Sequence, residues 1–413
     1  MHTRNKIGFY CPGVNNAGPW RYLHSLLAGI DVAEFEVTVL GDQEGEYAPR
    51  PEIRLASLAM PAHLASAVGP GEATTATRGT RAGSRLARLV PRPARQCLGF
   101  YRDAARMAKR LGEYRFDLFH TQRTGCEESP LAARQAGIPR VVGTFHVDST
   151  CDLDGVRSGL PHRALEWYSN RCLHRAIAVS EATKRDWMRR TGISDHRVVT
   201  IHNGIDPERF CRSSSRAAAR GRLGLPADAL LIGGMGRLDP VKGFDALIKS
   251  LALLRGEFPQ AKVAIAGSGF HREQLEAKAD ALGLAPHVFF LGQLADVNLF
   301  LDALDIFAIP SLAETLGYAL LEAMAHALPA VGSTVGGIPE VIVPEQTGFL
   351  APPQSPAALA VALRPLLESA ELRQQLGNAG RERVVTHFHE ADMVRKTLDV
   401  YRQMLGTKER RFQ

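Results

Sequence analysis

Apolar runs four to six residues long recur along the chain, separated by stretches with helical periodicity. In the first half the runs fall at 6–11, 35–40, 116–120, 141–145, 176–179 and 198–202. Helix-compatible stretches lie at about 18–28, 127–136, 161–174 and 181–190. Strand-length runs alternating with amphipathic helices predict βαβ units and a parallel sheet. The pattern breaks between about 42 and 93, a segment rich in Ala, Gly, Pro, Thr and Arg, which reads as a long, partly mobile insertion. After Asn203-Gly204-Ile205-Asp206-Pro207 comes a linker-like stretch, 211–225, heavy in Ser, Ala and Arg. The alternation then restarts, with strands at 230–235, 262–266, 288–291, 306–310 and 329–331. Helices fit 243–256, 271–282, 296–303, 315–326 and 356–368, and the segment 371–405 reads as further helices. The expected architecture is α/β: two Rossmann-like domains facing across a cleft, 1–205 and 206–388, with a terminal helical segment, 389–413. In open parallel sheets ligands gather at the carboxyl ends of the strands, so the loops that follow strands are where chemistry is sought.

Composition leaves this picture in place. The 413 residues are 45% hydrophobic and 23% charged, ordinary for a globular protein that buries a core in each half. No run of about 18 apolar residues predicts a membrane-spanning helix, and 1–6 leads into a strand without a secretory leader. Six scattered cysteines form no C-x-x-C pair, which fits a reducing cytoplasm. The formal charge of +7 is unevenly spread: 78–115 carries eleven basic residues against Asp103 and Glu113. Such a patch attracts phosphates, whether of lipid, nucleic acid or a phosphorylated acceptor.

Three loops carry candidate chemistry. The first, Pro310-Ser311-Leu312-Ala313-Glu314-Thr315-Leu316-Gly317, ends a strand and is expected to start a helix near Thr315. A helix start offers unpaired N–H groups and partial positive charge to a phosphate. Glu314 and Glu322 flank this turn of helix, about 12 Å apart at 1.5 Å rise per residue. That matches the reach of a sugar–pyrophosphate–ribose chain, with a carboxylate for the hydroxyls at each end. The second, Gly236-Arg237-Leu238-Asp239-Pro240-Val241-Lys242-Gly243, sets a forked cation and a point charge where they can clamp a pyrophosphate without a metal. The third, Gly332-Ser333-Thr334-Val335-Gly336-Gly337, can bring backbone N–H groups to the same ligand. Gly267-Ser268-Gly269 imitates a dinucleotide fingerprint, but Arg272 replaces its third glycine and the loop follows the wrong strand. In the first half, Gly143-Thr144-Phe145-His146 opens after a strand, making His146 a candidate polar group; His120 closes another strand and is a weaker one.

In order and spacing, these pieces resemble the retaining glycosyltransferases of family 4, which have the GT-B fold. Val179-Ser180, Asn203-Gly204-Ile205-Asp206, Gly236-Arg237-Leu238, Lys242-Gly243, Gly292, Pro310-Ser311, Glu322-Ala323-Met324-Ala325, Gly336-Gly337, Pro339-Glu340 and Thr347-Gly348 carry the likeness. The family usually has a Gly-Gly pair after the first strand; here the loop reads Asn15-Asn16-Ala17-Gly18. The resemblance implies an N-terminal acceptor domain, a C-terminal nucleotide-sugar domain and a last helix crossing back to the first. It implies catalytic roles for His146, Glu314, Arg237 and Lys242. Donor binding would fall to Gly18, Gly236, Arg237, Lys242, Thr315, Leu316, Gly317 and Glu322. The implied reaction is transfer of a hexose-type sugar from a UDP- or GDP-sugar, with retention, no metal and no cofactor. Its acceptor is a sugar or a lipid-linked precursor of a polysaccharide or lipopolysaccharide. The expected location is the cytoplasm, peripheral on an anionic membrane surface through 78–115. The competing readings are a sugar-nucleotide epimerase of the same fold and a basic nucleic-acid- or membrane-binding protein. The first lacks a cluster of acids or bases, and the second has too few aromatics for base stacking, so no nucleic-acid partner is expected.

Overall fold

The computed structural model describes residues 4–11, 18–41, 50–57, 92–123, 128–146 and 160–406. The loop residues Asn15, Asn16 and Ala17, the stretch 78–91 of the basic run, and the residues from Val147 to 159 lie outside them. The chain divides into two compact units: Met1–Ile201 with Met393–Gln413, and His202–Asp392.

Among the described residues the first unit holds seven parallel strands: β1 (Asn5–Tyr10), β2 (Phe35–Gly41), β3 (Arg54–Ser57), β4 (Leu118–Arg123), β5 (Val141–Phe145), β6 (Arg175–Ala178) and β7 (Val198–Thr200). Their spatial order is β3-β2-β1-β4-β5-β6-β7. Alternate side chains fill opposite faces, as the pleat requires. Ile7, Phe9, Val37, Val39 and Leu118 join one buried cluster, and Tyr10, Leu40, Phe119 and Val141 the other. Both faces are covered, which is why the strands read as continuous apolar runs. The first cluster is completed by Met393, Val394, Leu398 and Tyr401 of the helix Glu390–Gly406.

The second unit repeats the plan with β8 (Leu230–Met235), β9 (Ala261–Ala266), β10 (Val288–Gly292), β11 (Ile306–Ile309), β12 (Ala330–Ser333) and β13 (Gly348–Ala351), in order β10-β9-β8-β11-β12-β13. Each sheet starts in its middle and runs outward first one way, then the other, as in a dinucleotide-type fold. The switch points lie between β1 and β4, and between β8 and β11.

Several expectations need correction. The 42–93 segment contributes β3, an edge strand paired with Val39 and Leu40 of β2; four residues are too few to show periodicity. Arg92–Leu111 is a helix, whose apolar stripe of Ala104, Met107, Ala108 and Leu111 was masked by its arginines. The 211–225 stretch contains the helix Arg216–Leu223, capped by Ser215 and anchored by Arg220. Arg220 sits 2.7 Å from Asp305, with both side chains about 5% exposed, and also donates to the Ala303 carbonyl. β13 follows a single turn and was missed. The compact units divide after Ile201 and Asp392, and Ile205 bridges His389 within the second. Among the described residues no helix is long and apolar enough to cross a membrane.

Candidate functional site

The switch point of the second sheet gathers the predicted cations and carboxylate. β8 ends at Met235, and the chain turns through Gly236, whose N–H is engaged by the Ala266 carbonyl at 3.0 Å. Arg237 follows. Its Nε donates to Asp239, whose side chain is fully buried while that of Arg237 is 44% exposed. Asp239 also caps the short turn Pro240–Lys242, accepting from the Lys242 N–H at 3.2 Å. One buried carboxylate thus orients the Arg237 fork and fixes the backbone from which Lys242 projects. Sequence reasoning missed Asp239, although an Asp three residues before Lys242 is a recognisable cap.

β11 supplies the opposite wall. The Leu312 N–H donates to the Val241 carbonyl at 2.7 Å, which joins the two loops. Lys242 Nζ then meets Glu314 Oε2 at 2.6 Å, with the side chains 25% and 13% exposed. Glu314 is not on a helix. The helix begins at Tyr318, because Gly317 adopts φ +93°, a left-handed conformation that halts helical winding before it. The spacing of Glu314 and Glu322 read from helical rise therefore does not hold, and the N–H groups of the helix start lie three residues beyond Thr315. Leu316 is wholly buried in the core, so only its main chain can face a ligand. Glu322 lies on Tyr318–Ala325 and is 2% exposed. A carboxylate is costly to bury, and at this exposure Glu322 is not a solvated surface group.

The third loop packs on the first. Gly336 has φ +50°, and a Cβ there would lie 1.6 Å from the Glu314 carbonyl oxygen. The Gly337 N–H donates to that same oxygen at 3.1 Å. Gly267 explains the false fingerprint: a Cβ there would lie 1.8 Å from the Gly236 oxygen. This glycine lets the β9 loop lie against the β8 loop, where the Leu238 N–H donates to the Ser268 carbonyl at 2.8 Å. Gly-Ser-Gly is a packing device here.

His146 belongs to the first unit, where it immediately follows β5. It is 8% exposed and donates from Nε2 to Gln122 Oε1 at 2.6 Å. The Tyr22 ring meets it edge-on at 4.9 Å. Burial pulls the His146 pKa down to about 3, so the ring is neutral near pH 7. His120 is drawn into the same network, touching Tyr401 OH and Thr144 Oγ1. Its pKa is also lowered to about 3 by burial and, secondarily, by His146. Gly18 is the first residue of the helix Gly18–Gly29 in this unit. Among the described residues no group of three or more His, Cys, Asp or Glu is arranged to hold a metal.

Two parallel sheets with this strand order and loop-borne cations at a switch point define the GT-B fold, and solved structures agree. HepE of Anabaena, in complex with UDP and glucose, superposes with a TM-score of 0.75 at 20% identity over 97% of this chain and all of that one. Sucrose-phosphate synthase of Thermosynechococcus elongatus gives 0.77 at 22% identity over 98% of this chain and all of that one. The model of glycosyltransferase family 4 matches 17–209, and that of glycosyl transferases group 1 matches 215–383. The chain belongs to the family 4 type of glycosyltransferases. A D-inositol 3-phosphate glycosyltransferase of Streptomyces avermitilis is 33% identical over 226 residues, 52% of this chain and 48% of that protein. The chain thus spans about half the length of such curated relatives. The putative glycosyltransferase EpsD of Bacillus subtilis is 28% identical over 325 residues, 76% of this chain and 84% of that one.

Proposed function

We propose that the protein is a retaining glycosyltransferase that moves a hexose-type sugar from a UDP- or GDP-sugar to an acceptor, with the diphosphate held by the second unit. The observation that carries this is the Lys242–Glu314 pair beside the Asp239-anchored Arg237, on the two loops that flank the switch point. Developing negative charge on a departing diphosphate meets two fixed cations there. The Lys242 ammonium has three donors, so it can hold Glu314 and a phosphate oxygen together. Glu314 has further lone pairs for sugar hydroxyls, and Glu322 is assigned to the ribose. The names of the matched proteins, with UDP and glucose bound in HepE, support a nucleotide-sugar donor. Retention, through attack on the donor face with the leaving phosphate taking the acceptor proton, rests on the family resemblance. The reading needs neither cofactor nor metal, because the cations do the neutralising. Screening UDP-, GDP- and ADP-sugars for transfer and hydrolysis, with and without EDTA, tests it. Metal-insensitive turnover of one donor, with an α-linked product from an α-linked donor, is expected. An inverted product, or activity lost in EDTA and restored by magnesium, overturns the corresponding part.

We also propose that the acceptor is lipid-linked and met at an anionic membrane face on the cytoplasmic side. On Arg92–Leu111, Leu98 and Tyr101 are exposed, and Arg102 and Arg106 are more than half exposed. On Leu160–Arg171, Trp167 and Tyr168 are exposed too, with Tyr168 6.0 Å from Tyr101 and the Arg171 guanidinium 3.9 Å over the Trp167 ring. Aromatics flanked by arginines suit an anionic interface. Cosedimentation with anionic vesicles above neutral ones, weakened by R102E/R106E, is the expected result; equal binding to both refutes it.

A further inference from the structure

Four arginines gather at the amino ends of β5, β6 and β7, the end of the first sheet away from His146. Arg134 lies in the last turn of the helix Ser129–Gln135, ahead of β5, and Arg171 ends the helix Leu160–Arg171. Arg175 is the first residue of β6, and Arg197 stands immediately before β7. Arg197 is partly buried. Burial lowers its pKa, and Arg134, Arg171 and Arg175 lower it further, so all three press on it electrostatically. Among the described residues none of the four pairs with a carboxylate. Asp195, in the same turn as Arg197, is bound to Lys184 at 2.7 Å, and Glu166, on the helix of Arg171, to Arg190 at 2.5 Å. A helix dipole favours one cation at its carboxyl end, which accounts for Arg134 and Arg171 singly but not for their convergence on Arg197.

The cluster also holds a donor too many. The Val141 N–H donates to His174 Nδ1 at 3.0 Å, so that nitrogen is bare. Burial, and after it Arg134, Arg197 and Arg140, pulls the His174 pKa down to about 4. The ring is therefore neutral near pH 7 and carries its proton on Nε2. Arg134 Nη1 lies 2.8 Å from that same Nε2. Two N–H donors thus face one another, and an oxyanion beside them takes both protons. Arg175 spends one N–H on the His196 carbonyl and keeps the rest of its fork. The Arg171 guanidinium lies over the Trp167 ring, which occupies its face and leaves the donors along its edge.

We propose that Arg134, His174, Arg175 and Arg197 form a binding site for a phosphate-class oxyanion, with the exposed Arg171 beside them. A doubly charged tetrahedral group suits the site better than a carboxylate. It has oxygens for the Arg134–His174 donors and for an arginine fork at once, and it offsets two unpaired charges. The phosphate comes either free in solution or as the phosphomonoester of a lipid headgroup. The site is separate from the diphosphate loops of the second unit and does not depend on the transferase reading.

The test is calorimetry with inorganic phosphate and with pyrophosphate, at constant ionic strength in chloride, on the full chain carrying Lys242→Ala, which weakens the competing loops. One saturable site is expected, at least about tenfold weaker in R134Q/R197Q and unchanged in R102Q/R106Q. Flotation with vesicles of phosphatidate or phosphatidylserine at equal charge separates the sources. A preference for phosphatidate that R134Q/R197Q removes assigns the headgroup; a free-ion site without that preference assigns soluble phosphate. Vesicle binding that follows charge alone, with no free-ion site, overturns the proposal, as does equal affinity in R134Q/R197Q and its parent. Arg197 has no side-chain partner to lose among the described residues, so Arg197→Gln should unfold at no lower urea concentration than its parent in phosphate-free buffer. Phosphate should raise the parent's midpoint and not the variant's. A variant that is destabilised without phosphate marks Arg197 as a structural cation and overturns its place in the site.

Discussion

Replacing Gly336 by alanine should disable the donor site through the backbone alone. The added methyl would lie 1.6 Å from the Glu314 carbonyl oxygen, where real side chains keep about twice that separation. The two loops must therefore part by more than an ångström. Neither yields easily: the Gly337 N–H is hydrogen-bonded to that oxygen at 3.1 Å, and the Glu314 side chain is tied to Lys242 at 2.6 Å. Alanine at φ +50° adds a left-handed penalty of about 1 kcal/mol, and overpacking adds about 1–3 kcal/mol. The stability loss should total about 2–4 kcal/mol. Displacing a positioned catalytic group by about 1 Å costs on the order of 100-fold in rate. The comparison is Gly256→Ala, where nothing lies within 4 Å of the new methyl. Urea unfolding and transfer from the preferred donor sugar measure both effects. If Gly336→Ala unfolds at the same urea concentration as Gly256→Ala, the close approach is wrong. If it is destabilised but turns over within twofold of wild type, the loop does not hold a working Glu314.

Lys242→Ala should weaken nucleoside diphosphate binding in calorimetry and raise the transfer barrier by about 2–4 kcal/mol, with the fold retained; undiminished turnover would remove Lys242 from the site. Arg220→Met should cost about 3–5 kcal/mol in urea unfolding, because buried Asp305 loses the closer and more buried of its two arginine partners; a loss below about 1 kcal/mol would mean that the Leu231 N–H and Arg216 suffice for Asp305. His120 and His146, with folded pKa values near 3, take up protons on unfolding, so stability falls as pH drops from the unfolded value of 6.5 toward 3. Between pH 7.5 and 5 each should account for about 2 kcal/mol of loss. His146→Asn should therefore show a shallower pH dependence than wild type, and an identical one would refute the neutral buried ring.

The parallel sheets were legible because strands covered on both faces, such as Val141–Phe145 and Leu230–Met235, print continuous apolar runs. Not every element was so legible. β3 and β13 are four residues each, and Arg92–Leu111 hides a clear apolar stripe under its arginines. Arg237, Lys242 and Glu314 could be read as neighbours because all three follow strands that flank one switch point. What holds them was less legible: Asp239 can be read as a turn cap, but its burial and its hold on Arg237 cannot. A left-handed glycine inside an apparent helix, Gly317, moved the helix start and unmade the spacing argument for Glu314 and Glu322. His120 looked weaker than His146, since its partner Tyr401 lies 281 positions away.

That separation also orders the protein's biosynthesis. The second unit is one continuous stretch, His202–Asp392, and can close as it leaves the ribosome. The first unit emerges earlier but cannot finish. Ile7, Leu26 and Leu27 wait for Met393, Leu398 and Tyr401 to cover them, and Tyr22 and His120 wait for Thr397 and Tyr401 to take their hydrogen bonds. Through most of translation the first unit carries an open apolar face, and it finishes after the second, the reverse of the usual N-terminal-first sequence. A chain stopped just short of residue 393 keeps its donor loops intact yet leaves the other unit as a hydrophobic lesion for chaperones to recognise.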